Sequence, residues 1–124
     1  MTAAAHFAPM HRDLAAGRWR TMPLVEQMAN VGSEVSRTIR ALRQGNAERA
    51  THAMARALEL FDLTATDPRR RGAPRREVLR ARELFCGLRY SDTPTDGDAE
   101  FMDRYFLQFA VAAQRSRGAT RPPL

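Results

Sequence analysis

A cluster of arginines is the feature of this sequence that comes closest to a chemical site. Residues 69–89 hold eight arginines against Glu77 and Glu83, so this short segment carries the whole net charge of +6. All 20 basic residues of the chain are arginine, so their position is more informative than their number. Guanidinium groups bind phosphate through paired hydrogen bonds. The segment therefore predicts contact with the phosphate backbone of RNA or DNA.

The predicted phosphate-binding set also includes residues just before the first helix. Trp19 lies between two arginines, and two interpretations of it stay open: a cap on the end of the core, or a stacking platform for a nucleobase. The candidate residues are Arg69, Arg70, Arg71, Arg75, Arg76, Arg18, Arg20 and Trp19. The alternative is that these arginines are only solvated.

A second group of polar residues lies at helical spacing within apolar segments. Arg82 falls within the apolar arc of its helix, and a buried guanidinium needs a carboxylate partner because burying a lone charge is costly. Glu34, Glu59 and Asp62 are the candidate partners, and a ligand clamp at Arg82 is the alternative. We predict a structural ion-pair network made of Glu34, Arg37, Glu59, Asp62, Arg82 and Glu83.

Other kinds of chemistry lack their residues. A di-metal bundle of the ferritin type requires two Glu-x-x-His helices, which the sequence does not contain, and Glu48, His52 and Glu59 fit a solvated face. Cys86 lies on an apolar helix, where a thiol is usually inert. HEPN ribonucleases are similar in shape but space their arginine and histidine more widely than Arg49 and His52. We predict no catalytic residue, no metal and no cofactor.

Length and composition indicate one soluble domain. A chain of 124 residues is long enough to form one hydrophobic core without disulfides or metals. Its single cysteine excludes an internal disulfide and fits a reducing cytoplasm. No apolar run approaches the roughly 18 residues of a membrane span, and the first residues lack the pattern of a signal peptide. We therefore expect a cytoplasmic protein without membrane contact.

Four amphipathic helices are predicted to position these residues, because apolar side chains recur three and four residues apart. The predicted ranges are about 21–45, 47–65, 74–90 and 98–118. Asp67-Pro68 follows the second helix, where the residue before proline disfavours further helix. Gly32 lies beside the apolar stripe of the first helix and indicates a close approach between two helices.

Short connections between these helices predict an all-α, up-down-up-down four-helix bundle with a flexible N-terminal arm. The expected divisions are an arm over 1–20, a helical domain over 21–118 and a tail over 119–124. This topology gathers the arginines at one end of the bundle. The opposite end receives Asp92, Asp96, Asp98 and Glu100. The bundle is therefore predicted to be electrically polar along its axis.

Four short motifs carry a resemblance to a known family. They are MPLVEQ at 22–27, GSEVSR at 32–37, ALELFDLT at 57–64 with Asp67-Pro68, and RARE at 80–83 with Cys86. Through these motifs, residues 19–113 resemble a family of small, uncharacterised bacterial helical proteins. The resemblance implies an all-α fold without an established activity. It also implies that the residues of the predicted ion-pair network act together, either structurally or as a shared site.

The expected function is that of a non-enzymatic helical interaction module. The wide apolar faces of the second and fourth helices predict self-association as a homodimer, and a different protein partner is also open. One alternative is an accessory protein that binds the phosphate backbone of RNA or DNA through residues 69–76. A HEPN-like ribonuclease with non-standard residues is the second alternative.

Overall fold

The computed structural model describes residues 17–90 and 96–120. Within these ranges, four α-helices run over Leu24–Arg43 (α1), Ala47–Ala65 (α2), Ala73–Tyr90 (α3) and Asp96–Thr120 (α4). Two short 3₁₀-helices, Arg18–Thr21 and Pro68–Arg70, precede α1 and α3. None of the helices in the described ranges is long and apolar enough to cross a membrane. The predicted all-α class is confirmed.

Local sequence signals explain the boundary between α1 and α2. Gly45 follows α1 with φ +69°, a left-handed conformation that glycine adopts without strain. The Asn46 side chain then accepts a hydrogen bond from the backbone N–H of Arg49 at 3.0 Å, which satisfies a donor at the start of α2. The resulting connection is short, so α1 and α2 are antiparallel neighbours.

The helices alternate in direction around one core, as predicted. α1 packs along both α2 and α4, whereas α3 packs against α2 and only lightly against α4. Phe61 of α2 joins three helices, because its ring centroid lies 5.6 Å from that of Phe85 and 6.0 Å from that of Phe106. Burial of each large apolar side chain contributes about 1.5–3 kcal/mol. This aromatic cluster is therefore the centre of the fold.

Gly32 marks the closest approach between two helices. A Cβ atom placed on it would lie 2.8 Å from the Cβ of Phe106, which is too close for two carbon atoms that are not bonded. The close approach predicted from the sequence is confirmed, and its partner is α4. This contact fixes α4 tightly against α1.

The start of the fold differs from the prediction. Residues 1–16 of the predicted arm lie outside the described ranges, but Arg18–Thr21 forms a 3₁₀-helix and Trp19 is fully buried. The arm therefore cannot extend to residue 20. The physical reason is the indole ring, whose large apolar surface is removed from water when it covers the end of the core.

The predicted acidic end is described only in part. Glu100 is exposed near the start of α4, as is Asp98. Asp92 lies outside the described ranges. At the other end of the helix, α4 continues to Thr120 and passes the predicted stop at Gly118. Of the predicted tail, residues 121–124 are not among those described.

Candidate functional site

Asp67 organises the basic end of the bundle. Its carboxylate has no exposed surface, and its Oδ1 caps the second 3₁₀-helix by accepting the backbone N–H of Arg69 at 3.0 Å. The Arg69 guanidinium donates to Oδ2 at 2.7 Å. This side-chain hydrogen bond, helped by one from Gln27, holds the pKa of Asp67 well below its usual range although burial acts in the opposite direction.

Gln27 of α1 connects this carboxylate to the chain before α1. Its Nε2 donates to the Trp19 carbonyl and to Asp67 Oδ2, both at 2.9 Å. Its Oε1 accepts a hydrogen bond from Arg70 Nε at 2.9 Å. Gln27 is fully buried, and both of its donors and its acceptor are satisfied. The loop after α2 and the segment before α1 are thereby tied together.

Three arginines of the predicted phosphate-binding set take part in this arrangement. The Met22 carbonyl accepts from Arg69 Nη2 at 2.7 Å and from Arg70 Nη2 at 3.1 Å. Arg75 Nη2 donates to the Asp67 carbonyl at 3.2 Å. Burial and the neighbouring charge of Arg69 lower the pKa of Arg70. Gln27, Asp67, Arg69, Arg70 and Arg75 together form what we call the Asp67 network.

The other four arginines of the predicted set are arranged differently. Their side chains are exposed and make no hydrogen bond or ion pair within the described residues; they are Arg18, Arg20, Arg71 and Arg76. We call them the outward arginines. The predicted basic end therefore consists of a structural part and a part that is available to a ligand.

The interpretation of Trp19 as a stacking platform is wrong. Its side chain has no exposed surface, and its Nε1 donates to Thr64 Oγ1 at 3.1 Å. The alternative interpretation, a cap on the end of the core, agrees with the structure. Flanking arginines gave no indication of this, because alternate residues of a turn can face water while the one between them is buried.

The predicted ion-pair network is not one buried cluster. Glu34 is buried between α1 and α2, where it accepts from Arg37 at 2.6 Å and from Arg56 at 3.1 Å. Sequence reasoning missed Arg56, which lies on the polar side of the α2 stripe. Glu59 of α2 is half-buried, and Glu83 of α3 is exposed.

The prediction that Arg82 is buried in the core is wrong. Arg82 pairs with Asp62 at 2.9 Å, and their side chains are 35% and 59% exposed. A long arginine side chain can cover apolar surface with its methylene groups while its guanidinium stays in water. The pair therefore joins α2 to α3 from outside.

The structure offers no support for a metal site, for catalysis by Arg49 and His52, or for a reactive Cys86 within the described residues. Within residues 17–90 and 96–120, no three His, Cys, Asp or Glu side chains gather in a way that could hold a metal ion. His52 and Arg49 are exposed on α2, and Cys86 is half-buried on α3.

A groove between α3 and α4 is the second candidate surface. Its volume is about 270 Å³, and its lining residues are Glu77, Arg80, Ala81, Leu84, Phe101, Met102 and Tyr105. Leu84 is 48% exposed and Phe101 is 49% exposed. The Phe101 ring stacks on that of Tyr105, with centroids 6.4 Å apart. The groove thus presents an aromatic wall to solvent.

One wall of this groove is held by a hydrogen bond between the two helices. Tyr105 Oη donates to Glu77 Oε1 at 2.8 Å. Burial of the phenol and this hydrogen bond raise the pKa of Tyr105. This hydrogen bond holds the ring of Tyr105, on which Phe101 stacks, against α3.

The apolar face predicted on the second helix is used inside the bundle. Met54, Leu60 and Phe61 of α2 are buried. Among the described residues, the large apolar side chains that remain exposed lie on α3 and α4; they are Leu79, Leu84, Phe101, Leu107 and Val111. The surface that a partner could cover therefore lies on the third and fourth helices.

Comparisons of the chain with protein families, with curated proteins and with solved structures found no match. The resemblance to small bacterial helical proteins therefore stays a prediction. The two surfaces, the basic end and the groove between α3 and α4, are the features on which a function can be argued.

Proposed function

We propose that this protein is a helical interaction module that forms a homodimer through the groove between α3 and α4. The observation that supports the proposal is the pair of half-exposed apolar side chains, Leu84 and Phe101, that line the same groove. Covering apolar surface contributes about 25 cal/mol per Å². Aromatic side chains near the centre of an interface commonly supply most of the binding energy.

The groove is large enough to receive a side chain from a partner. A cavity of about 150 Å³ holds a benzene molecule, and this groove measures about 270 Å³. α3 packs only lightly on α4, so the groove is a gap in the bundle. A second copy of the chain carries its own Phe101 in the same surface, and that ring could enter the gap.

The charges around the groove favour a second copy over a strongly charged partner. Exposed residues of both signs flank it, Glu77 and Arg80 on α3 and Glu100 and Arg104 on α4. In a twofold-symmetric interface the same patch meets itself, so each residue contacts its complement reciprocally. Each arginine can then pair with a carboxylate of the other copy.

Sedimentation velocity over a range of micromolar concentrations tests the proposal. We expect the wild-type chain to dimerise and the L84S/F101S variant to remain monomeric. Leu107→Ser is the matched control, because Leu107 is also exposed on α4 but lies on the side of α1. It should dimerise like the wild type.

Two results would contradict the proposal. One is a wild-type chain that stays monomeric at high micromolar concentration. The other is an equal loss of dimer in L84S/F101S and in Leu107→Ser. Circular dichroism of each variant shows whether the bundle remains folded.

A further inference from the structure

The Asp67 network holds two separate parts of the chain that carry exposed arginines. Gln27 bonds both the Trp19 carbonyl and the Asp67 carboxylate at 2.9 Å. Trp19 stands between Arg18 and Arg20, and Asp67 begins the connection that carries Arg71. The chain segments that carry Arg18, Arg20 and Arg71 are therefore held at one end of the bundle, where Arg76 also lies in the first turn of α3.

Nearby carboxylates do not neutralise this surface. Asp67 is buried and pairs with Arg69. Glu26 is engaged with Arg117, with Oε1 and Nη1 3.8 Å apart. The four outward arginines have no acidic partner within the described residues. Glu77, the exposed carboxylate that follows Arg76, accepts a hydrogen bond from Tyr105 Oη at 2.8 Å. Among the described residues, a polyanion that approaches this end therefore meets more positive than negative charge.

We propose that the outward arginines, Arg18, Arg20, Arg71 and Arg76, bind the phosphate backbone of double-stranded nucleic acid. The contacts are to phosphate groups, so binding is independent of base sequence. This inference does not depend on the dimer, because the groove between α3 and α4 is a different surface.

The burial of Trp19 distinguishes a duplex from a single strand. Proteins that bind single strands without sequence preference stack bases on exposed aromatic side chains. Trp19 has no exposed surface, so this end offers guanidinium groups without a stacking platform. A duplex presents its phosphates on the outside and hides its bases, which matches a surface of charges alone.

The apolar content of this end favours nucleic acid over a lipid surface. Among the described residues, Leu79 is the exposed large apolar side chain that lies beside these arginines, in a shallow pocket with Arg71 and Arg75. Helices that lie on membranes carry a continuous apolar face opposite their basic face. One leucine does not provide such a face.

Fluorescence anisotropy with a labelled random-sequence duplex tests this inference in the full-length protein. We expect the logarithm of the affinity to fall with the logarithm of salt concentration with a slope of about −3 to −4, since each phosphate contact contributes about −0.9. The R18Q/R20Q/R71Q/R76Q variant should bind at least about tenfold more weakly at about 50 mM salt.

The matched control removes the same number of charges from the opposite end of the bundle. Arg40 and Arg43 lie in the last turn of α1, Arg49 lies in the first turn of α2, and Arg89 lies in the last turn of α3. The R40Q/R43Q/R49Q/R89Q variant should retain its affinity within about threefold, because these charges lie away from the proposed contact. R71Q/R76Q changes only the α2–α3 connection and the start of α3, and it should show an intermediate loss of affinity. It replaces the fourfold variant in the test if that variant does not fold.

Four results would overturn the inference. They are equal losses in the two fourfold variants, absence of duplex binding at low salt, tighter binding of a single strand of the same length, and binding of anionic phospholipid vesicles in place of the duplex. A failure of duplex binding leaves the sedimentation test of the groove unaffected, so the two proposals fail separately.

Discussion

α4 is held in two different ways on its two sides. Toward α1, Gly32 admits Phe106 so closely that a Cβ atom would lie 2.8 Å from the phenylalanine Cβ. Toward α3, Leu84 and Phe101 stay half-exposed around a groove of about 270 Å³. A contact this tight stabilises the fold, and the groove of about 370 Å³ that runs beside it between α1 and α4 has Arg37, Arg40 and Asp103 in its lining. The open contact contributes less to stability and leaves apolar surface for a partner.

The basic end shows the same division within one group of residues. Arg69 and Arg70 donate to carbonyl and carboxylate oxygens of the fold, whereas the side chains of Arg71 and Arg76 make no hydrogen bond or ion pair within the described residues. Residues of identical chemistry thus serve structure in one case and remain available for binding in the other. Substitutions of residues that are bonded or tightly packed inside the fold should therefore lower stability. Substitutions of residues that are open to solvent should mainly affect binding.

The largest effect on stability is expected from Asp67→Asn. The neutral amide removes the buried charge that Arg69 and Gln27 bond, and loss of such a charge-assisted network costs about 3 kcal/mol. Urea denaturation at neutral pH measures this change in the free energy of unfolding. A variant as stable as the wild type would show that the Asp67 network does not hold the basic end together.

The same carboxylate makes a pH-dependent contribution to stability. Because the pKa of Asp67 is lower in the folded protein than its usual value of 3.8, the contribution is complete above that value and is lost as the pH falls below it. The stability difference between wild type and Asp67→Asn should therefore be largest at neutral pH and shrink near pH 3 in urea denaturation. A difference that stays constant with pH would contradict this account.

The next largest effect is expected from Gly32→Ala. The new methyl group would force α1 and α4 apart, which costs about 1–3 kcal/mol and exceeds the gain of roughly 1 kcal/mol in helix propensity. Thermal unfolding should show a lower Tm. An unchanged or higher Tm would mean that α4 is not fixed against α1.

Gly87→Ala is the control for this substitution. Gly87 is also helical, but no atom lies within 4 Å of the position its Cβ would take. Alanine should therefore raise the free energy of unfolding by about 0.5–1 kcal/mol, because only the propensity gain remains. A loss of stability for Gly32→Ala together with a gain for Gly87→Ala would confirm that packing is tight at Gly32 of α1 and loose at Gly87 of α3.

The smallest effect is expected from Arg82→Ala. Both members of the Asp62–Arg82 pair are partly exposed, and exposed pairs contribute less than about 1 kcal/mol. A double-mutant cycle with Asp62→Ala, measured by urea denaturation, isolates the pair. A coupling energy well above about 1 kcal/mol would contradict the description of this pair as an exposed one.

The helices could be predicted from the sequence because their signals are local. Apolar spacing, Gly45, Asn46 and Pro68 each act within a few residues, and the observed α2 has the predicted bounds. Gly32 could be identified for the same reason, since a glycine beside an apolar stripe carries a cost that close packing offsets.

The Asp67 network could not be predicted, because its contacts join distant parts of the chain. Gln27 and Asp67 are 40 residues apart, and locally Asp67 indicates only a helix end before proline. Equally, the run of arginines after Pro68 contains no pattern that separates Arg69 and Arg70 from Arg71. Only the tertiary position of the Met22 carbonyl and of Gln27 decides which guanidinium groups are used inside the fold.

Hydroxyl-radical footprinting at low and high protein concentration tests the central claim, dimerisation through the groove, most directly. The oxidation rates of Leu84, Phe101 and Leu107 are compared by mass spectrometry, since all three are exposed in the single chain. We predict that Leu84 and Phe101 become protected as the concentration rises while Leu107 stays reactive. Rates that do not change with concentration, or protection of Leu107 alone, would contradict the claim.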